Sequence, residues 1–218
     1  MKVQVICGDR WHPADTVRQG LEPLAGGEFE FVVTEHVEKF DPEELGRYPI
    51  VLVARANSQS EEEKRFWMSE QVQQAFEHYV ERGGSLLAVH AGTAGYKEDE
   101  LFRRLAGGAF THHPEACRVE IHPDKQHPIA AGVEEFAVHD EHYFMEWEDP
   151  IADLIMTTVS EHGTQPGGWT RTYGRGRVCV LTPGHELEVW QHPMFQTLLR
   201  NALDWCARRD PSGTEIQV

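Results

Sequence analysis

Residues 83–92 read Gly-Gly-Ser-Leu-Leu-Ala-Val-His-Ala-Gly, and this stretch decides the fold class. Ser85–Val89 is a short apolar run, typical of a strand that is buried on both faces of a parallel sheet. The glycine pair before it ends a helical pattern, and the glycine after His90 permits a tight turn. A second run of this kind, Ile50–Val53, predicts a neighbouring strand.

Strands and helices alternate on both sides of this stretch. The predicted strands of the first half are residues 2–7, 29–34, 49–54 and 85–89. The predicted helices are residues 13–24, a long helix from Ser60 to Gly83 with a capping box of Ser60 and Glu63, and residues 98–105. The second half contains short strands at 118–121, 135–138, 154–159, 168–173 and 177–181, and then an amphipathic helix at 194–206.

This order of elements predicts an α/β fold of one domain. We expect a three-layer α/β/α sandwich of flavodoxin-like type, with a mainly parallel sheet. The β-rich C-terminal half either extends that sheet or forms a lobe at its edge. The predicted domain spans residues 1–208, and residues 209–218 form a polar tail.

The composition excludes several classes of partner. Of 218 residues, 36 are acidic and 20 are basic, and the formal net charge is −16. Nucleic acids and anionic membranes need a basic surface, so neither is expected as a partner. No apolar run approaches the ~18 residues of a membrane span, and Met1–Asp9 becomes polar too early for a signal peptide. The four cysteines include no C-x-x-C pair, which favours free thiols in a cytoplasmic protein.

Polar residues follow the predicted strands at the points where these strands end. In open α/β sheets, ligands bind beyond the carboxyl ends of the strands. The residues found there are Asp9–His12, Arg55, Asn57, Ser58, His90, His139–His142 and Gly184–Glu186. If these strands are parallel, their ends share one edge of the sheet. The side chains expected to converge at that edge are His12, His90, Glu141 and His185.

Each of these residues also has a structural explanation, which the sequence leaves open. His12 could cap a helix or lie at the surface, and His185 could cap the end of a strand. Asp140 and Glu141 could form a solvated turn. His90 could also be structural, although packing rarely needs a bulky polar residue at a strand end.

The same positions indicate which chemistry to expect. An enzyme with a strand–elbow–helix nucleophile carries Ser or Cys where this chain carries His90, so glutaminase and esterase chemistry is disfavoured. There is no Gly-x-Gly-x-x-Gly after the first strand and no phosphate loop, so NAD and ATP are not expected. Imidazoles with one carboxylate suit Zn²⁺ or a similar divalent ion with an open coordination position. Such an ion can activate water or polarise a carbonyl.

Six short motifs are spread over nearly the whole chain, from Val3 to Trp205. They are Gly83–Gly92, Gly107–Pro114, Asp124 with His127–Ile129 and Gly132, Asp140-Glu141 with Tyr143, Tyr173–Val178, and Gly184-His185. In this order they resemble the motifs of the ThuA-like (trehalose utilisation) family. The resemblance implies the fold of class I glutamine amidotransferases without their nucleophile. It also implies a role in the use of trehalose or related disaccharides through 3-keto sugars, and a bound zinc ion.

Carried across by position, the resemblance also points to the four converging residues, with His113 and Asp140 nearby. The predicted site residues fall into three groups. The metal ligands, for a divalent ion and zinc foremost, are His12, Glu141 and His185. The catalytic residues are His90, as the acid–base group, Asp140 and His113. The substrate contacts are Trp11, Asn57, Tyr143 and Trp190.

The function predicted from the sequence is that of a metal-assisted enzyme acting on a small carbohydrate such as a keto-disaccharide. The first alternative is a non-catalytic carbohydrate-binding or regulatory module, which the missing nucleophile favours. A third option is a non-catalytic subunit that docks on a dehydrogenase. The sequence also allows a homo-oligomer.

Overall fold

The computed structural model describes residues 1–57, 66–147 and 152–209. The strands in these ranges are β1 (Lys2–Cys7), β2 (Glu30–Thr34), β3 (Ile50–Ala54), β4 (Ser85–Val89), β5 (Gly108–His112), β6 (Cys117–Pro123), β7 (Phe136–Asp140), β8 (Phe144–Trp147), β9 (Asp153–Ser160), β10 (Gly163–Tyr173) and β11 (Gly176–Leu181). The α-helices are α1 (Ala14–Leu21), α2 (Glu70–Glu81), α3 (Glu100–Ala106), α4 (Leu187–Gln191) and α5 (Pro193–Cys206). Among these residues, a nine-stranded sheet has the order β2-β1-β3-β4-β11-β10-β9-β6-β7, and β5 pairs with β8 in a second sheet.

One half of the large sheet is parallel and buried on both faces. β1 pairs in parallel with β2 and β3, and β4 pairs in parallel with β3 and β11. Val17 of α1 and Leu198 of α5 pack in the core on one face, and Phe76 of α2 and Phe102 of α3 pack on the other. The predicted α/β class is therefore confirmed, because burial on both faces explains the continuous apolar runs.

The other half of the sheet is antiparallel, so the prediction of a mainly parallel sheet is only partly correct. β10 pairs with β11 and β9, and β6 pairs with β9 and β7, all in antiparallel fashion. Only Gly174 and Arg175 connect β10 to β11. A loop this short joins antiparallel neighbours, whereas parallel neighbours need a crossover of about a dozen residues or more.

Strand β7 nevertheless runs in the same direction as β4 and β11. Four antiparallel pairings separate β7 from β11, and each one reverses the direction. The carboxyl ends of β1, β4, β11 and β7 therefore lie toward the same edge of the sheet. The expected convergence of site residues depends on this condition.

The long helix predicted from Ser60 is shorter in the structure. Residues 66–69 are not helical, and α2 begins at Glu70. The hydroxyl of Ser69 accepts the capping hydrogen bond at 3.4 Å, because Ser69 stands just before the apolar stripe that packs on the sheet. The predicted capping box of Ser60 and Glu63 lies outside the described residues.

Three elements were not expected from the sequence, namely β5, β8 and α4. β5 pairs with β8 in antiparallel fashion, with Gly108 opposite Trp147 and an irregularity between Phe110 and His112. Both strands are short, and their polar and apolar residues do not alternate cleanly. Periodicity therefore does not distinguish them from loop.

Other predictions concern the chain as a whole. The four cysteines are free. Of the predicted tail, residue 209 alone is described, and the guanidinium of Arg209 lies 2.7 Å from the carboxylate of Glu28. Within the described ranges, we find no helix that combines the length and the apolar character needed to cross a membrane.

Candidate metal centre

Four side chains meet beyond the carboxyl ends of the strands. His12 follows β1, His90 follows β4, Glu141 follows β7 and His185 follows β11. One nitrogen or oxygen atom from each lies within 4.8 Å of the others. The structure thus brings together the four residues that the sequence places at strand ends, and we call them the donor cluster.

Three ring nitrogen atoms face the centre of the donor cluster and make no hydrogen bond of good geometry. They are buried, and they are Nε2 of His12, Nε2 of His90 and Nδ1 of His185. Oε2 of Glu141 lies 3.4 Å from the His90 nitrogen and 3.2 Å from the His185 nitrogen. Two buried nitrogens thus share one carboxylate, and Nε2 of His12 has no partner. An unsatisfied buried polar atom costs about 1–3 kcal/mol, so this arrangement needs an explanation.

Hydrogen bonds on the far side of two rings determine which nitrogen faces inward. Nδ1 of His90 donates to the carbonyl of Thr182 at 2.8 Å. Nδ1 of His12 lies 2.9 Å from both carboxylate oxygens of Asp9. A carbonyl or carboxylate oxygen can only accept, so in the neutral rings Nδ1 carries the proton and Nε2 presents its lone pair. Anchoring of this kind is common for histidines that bind metals.

The backbone places His90 in an uncommon conformation. Its φ is 45°, in the left-handed region where residues other than glycine are rare. Gly92 lets the turn pass close to β3, because a Cβ at Gly92 would lie 2.1 Å from the carbonyl oxygen of Val53. The Thr93 hydroxyl donates to the carbonyl of His90 at 2.8 Å and closes the turn. These contacts hold the His90 ring inside the donor cluster.

Asp140 positions His185 instead of contacting the cluster centre. Its buried carboxylate accepts hydrogen bonds from the amide of Gly184 at 2.8 Å and from that of His185 at 3.0 Å. The indole of Trp190 donates to the carbonyl of Gly184 at 2.7 Å. The loop after β11 is thus tied to β7 on one side and to α4 on the other.

Asp9 belongs to the site through its contact with His12, although it is not among the predicted site residues. Besides the His12 ring, its carboxylate accepts the amide of Trp11 at 2.9 Å, that of His12 at 3.1 Å and that of Ala56 at 2.8 Å. Burial alone would raise the pKa of Asp9, but the bonds from His12 and the amides lower it below its usual range. Its place just after β1, three residues before His12, was the signal that could have identified it.

The pKa directions within the cluster reflect burial and the Glu141 charge. Burial would raise the pKa of Glu141, but His185 and His90 outweigh burial and lower it below its usual range. The contact with Glu141 raises the pKa of His185, whereas burial lowers that of His90. Glu141 and His185 thus stabilise each other's charged forms, whereas burial opposes the charged form of His90.

A pocket of about 250 Å³ adjoins the donor cluster. Its lining residues are Trp11, His12, Ala56, Ala94, Gly95, Phe110, His113, Glu141 and Tyr143. At its rim, the His113 side chain is 36% exposed, and its Nε2 lies 3.5 Å from Oε1 of Glu141. A molecule in this pocket meets the cluster from the side of His12 and Glu141.

The position of His90 differs from the predicted one. We expected His90 to project into the crevice as an acid–base group, but its exposed fraction is 1%. Tyr143, which lines the pocket, stacks on the His90 ring with the centroids 3.9 Å apart. His90 is not among the residues that line the pocket. Its free nitrogen faces the other cluster residues instead.

Two predicted substrate contacts are buried and do not line the pocket. Trp190 has an exposed fraction of 1% and packs in the core. The amide of Asn57 donates to Asp99 at 2.6 Å, and its oxygen accepts the amide of Met68 at 3.2 Å. Asn57 is 2% exposed, so neither side chain is available to a sugar in the pocket. Trp11 and Tyr143 both line the pocket, and Tyr143 does so although it is 3% exposed.

Histidines elsewhere in the described chain lack the features of the cluster. His142 is as buried as His90, but its ring nitrogens lie 2.7 Å from the Ser160 hydroxyl and 3.1 Å from the Thr158 hydroxyl. His139 is exposed on β7. Burial alone therefore does not distinguish a candidate ligand; a buried nitrogen without a partner does.

The fold and the donor cluster together define an α/β protein with a candidate metal centre at the carboxyl edge of its sheet. The chain belongs to the ThuA family, described as trehalose utilisation, whose sequence model matches residues 5–206. This membership associates the protein with sugar metabolism. No curated protein matches the chain.

Solved structures share this fold at low sequence identity. A ThuA-like protein from Bacteroides uniformis is 19% identical with a TM-score of 0.73, covering 98% of this chain and 94% of its own. Another from Parabacteroides merdae is 18% identical with a TM-score of 0.72, covering 100% and 92%. A β-galactosidase from Bacillus circulans is 11% identical with a TM-score of 0.65, covering 95% of this chain but 31% of its own. At these identities the likeness concerns the fold alone.

Proposed function

We propose that the protein is an enzyme of sugar metabolism that uses a divalent metal ion, zinc foremost, at the donor cluster. The observation that carries this proposal is the set of three buried imidazole nitrogens that converge on the carboxylate of Glu141 without a hydrogen bond of good geometry. Nitrogen and carboxylate oxygen are ligands that zinc prefers. The substrate class, a carbohydrate, is supported by the family to which the chain belongs.

The four residues that would hold the ion are His12, His90, Glu141 and His185. Including His90 changes the role first predicted for it, and its inward-facing Nε2 supports this change. A divalent ion bound there would supply Lewis acidity toward a carbonyl or hydroxyl oxygen of the substrate. Asp9 and the carbonyl of Thr182 keep two of the ligand rings in the tautomer that such a role needs.

The acid–base role passes to His113 in this proposal. His113 lines the pocket, is partly exposed and lies 3.5 Å from Glu141 through its Nε2. An imidazole at the mouth of a pocket can exchange protons with both solvent and substrate. Asp140, first predicted as catalytic, acts here by positioning the backbone of Gly184 and His185.

Metal analysis tests the proposal directly. Protein purified without added zinc is analysed for bound metals, and its melting temperature is measured with and without Zn²⁺, Mn²⁺ and Ni²⁺. We expect one bound ion per chain and a melting temperature that rises with zinc. Glu141→Gln removes a ligand charge at constant shape and should lose both effects. His139→Ala changes an exposed histidine on β7 and is the matched control, which should keep them.

A metal-free wild-type protein with no thermal response to any of these ions would refute the metal proposal. Equal zinc content and equal thermal stabilisation by zinc in Glu141→Gln and wild type would show that the ion binds elsewhere. The cytoplasmic location, the small-carbohydrate partner and a homo-oligomeric state remain predictions from the sequence.

A non-catalytic carbohydrate-binding module is the second candidate. The observation that favours it is the buried His90 at the elbow, where related folds carry an accessible nucleophile. Under this alternative, trehalose and keto-disaccharides raise the melting temperature of the zinc-loaded protein but remain chemically unchanged over long incubation. Under the enzyme proposal, chromatography of the same incubations shows a product that zinc removal abolishes.

A further inference from the structure

The pocket beside the donor cluster has a polar floor and an aromatic wall. Glu141 and His12, both members of the donor cluster, contribute polar atoms where the pocket adjoins the cluster. Phe110 and Tyr143 form the wall, with ring centroids 4.2 Å apart. Binding pockets of small molecules typically combine apolar walls with a few polar groups that determine orientation.

Trp11 is an exposed aromatic residue at the rim of this pocket. Its exposed fraction is 50%, so the indole is accessible to a molecule in the pocket that it lines. Its backbone is held in place, because its amide donates to Oδ1 of Asp9 at 2.9 Å. The backbone that carries the indole is therefore fixed by Asp9, the same residue that orients the His12 ring.

Small residues line part of the pocket. Ala56, Ala94 and Gly95 have little or no side chain, and Ala56 and Ala94 belong to the same apolar cluster as Tyr143. Gly95 has a φ of 79°, and a Cβ there would lie 2.2 Å from the carbonyl oxygen of Asn57. The backbone itself therefore keeps a larger side chain out of this part of the pocket.

The volume limits the size of the occupant. Pockets that bury drug-sized ligands measure about 300–1,000 Å³, whereas this pocket measures about 250 Å³. That space suits one sugar ring, and the pocket opens to solvent beyond it. Sugar rings have an apolar face of C–H groups and a polar rim of hydroxyl groups, and this matches an indole at the side and polar atoms at the floor.

We infer that this pocket binds a single pyranose ring of the substrate, with its apolar face on the Trp11 indole and its hydroxyl groups toward Glu141 and His113. The second ring of a disaccharide stays outside, beyond the rim. This inference rests on the proposed function, since it assigns the substrate of the same site. Trp11 is then a specificity-determining residue and not part of the metal centre.

Binding of one-ring and two-ring sugars to the zinc-loaded full chain tests the inference. Methyl α-D-glucopyranoside and trehalose are titrated by calorimetry into the wild type, Trp11→Ala and Trp147→Ala. Trp147 is the matched control because it is also an exposed tryptophan, at 39%, and does not line the pocket. Zinc content and melting temperature are measured on every sample.

We expect the two sugars to bind the wild type with Kd values within about threefold of each other, because the second ring makes no further contact. Trp11→Ala should weaken both by about tenfold, the scale of one aromatic contact, without changing zinc content. Trp147→Ala should leave both unchanged.

Three results would overturn the inference. The first is trehalose binding more than about tenfold tighter than the monosaccharide glycoside, which would mean a site for two rings. The second is unchanged sugar binding in Trp11→Ala, and the third is no binding of either sugar by the wild type. Sugar binding that depends on Trp11 in a protein that never takes up zinc would refute the metal proposal and leave this inference intact.

Discussion

The two ends of the parallel strands carry pockets of very different character. At the carboxyl ends, a pocket of about 250 Å³ adjoins the donor cluster. At the amino ends of β3 and β4, a larger groove of about 690 Å³ lies between the turn Pro42–Arg47 and helix α2. The larger groove is lined by Tyr79, whose hydroxyl contacts the carbonyl of Tyr48 at 3.0 Å and the amide of Ser85 at 3.2 Å.

The difference teaches that unpaired polar atoms indicate a site better than volume does. In the amino-end groove the buried hydroxyl already has protein partners. In the donor cluster, Nε2 of His12 has none, and the other two inward-facing nitrogens share the single carboxylate of Glu141. Because each unpaired atom costs stability, such a group persists in a folded protein where a ligand or a function offsets that cost.

The largest expected effect comes from replacing His90, the most buried member of the cluster. Asparagine tolerates the left-handed backbone of this position but cannot supply an imidazole nitrogen. His90→Asn should weaken zinc binding more than ~100-fold and should abolish turnover. This loss exceeds the roughly 10–100-fold that is typical when a residue hydrogen-bonded to a metal ligand is replaced. Competition with a chromophoric chelator measures the affinity.

His142→Asn is the matched control for His90→Asn, since both histidines are 1% exposed. It should lower the free energy of unfolding by about 1–3 kcal/mol, because Ser160 and Thr158 lose their partner, and leave zinc affinity unchanged. Equal zinc affinity in His90→Asn and wild type would mean that His90, whose Nε2 lacks a hydrogen bond, binds zinc no more than the fully hydrogen-bonded His142 does.

A smaller effect on zinc affinity is expected from replacing Asp9, which would not bind the ion itself but contacts Nδ1 of the proposed ligand His12. Asp9→Asn keeps the shape, but one amide oxygen cannot replace two carboxylate oxygens that accept several N–H groups. We expect zinc affinity to fall by about 10–100-fold. Asp99→Asn, which changes a carboxylate bonded to Asn57 and Gln73, should retain wild-type affinity. A wild-type Kd in Asp9→Asn would show that Asp9 serves the fold alone.

The pH dependence of zinc binding sharpens the comparison further. The pKa of His185 is raised above its ordinary value of 6.5 by Glu141, so zinc competes with a proton on this ring at and below neutral pH. Affinity should therefore fall on acidification between about pH 8 and 6, by about tenfold per pH unit for each proton displaced. Chelator competition across this range measures the slope. An affinity independent of pH would mean that His185 binds no proton that zinc must displace.

The smallest effect is expected at the amino-end groove. Tyr79→Phe removes the hydroxyl between Tyr48 and Ser85 and should lower the free energy of unfolding by about 1 kcal/mol in urea titrations. Zinc affinity and sugar binding should not change, because the groove lies at the other end of the strands. Loss of either in Tyr79→Phe would mean that the two ends of the sheet are coupled.

Much of the fold follows from local patterns in the chain. Runs such as Ile50–Val53 predict buried strands, because a strand covered on both faces has no polar side. The antiparallel half of the sheet was harder to predict, since the sequence of a short alternating strand does not indicate which strand it pairs with. The one sequence feature that indicates antiparallel pairing here is the two-residue connection Gly174-Arg175, because a loop that short joins the strands of an antiparallel hairpin.

The sequence by itself determined that His12, His90, Glu141 and His185 stand where strands end, because that depends on the spacing of apolar runs. It could not determine their roles. Only the tertiary structure separated His90 from His142, because whether a buried nitrogen finds a hydroxyl or faces other ligands depends on residues distant in the chain. The same holds for Asp9 and Trp190, whose roles depend on contacts between elements that the chain order does not reveal.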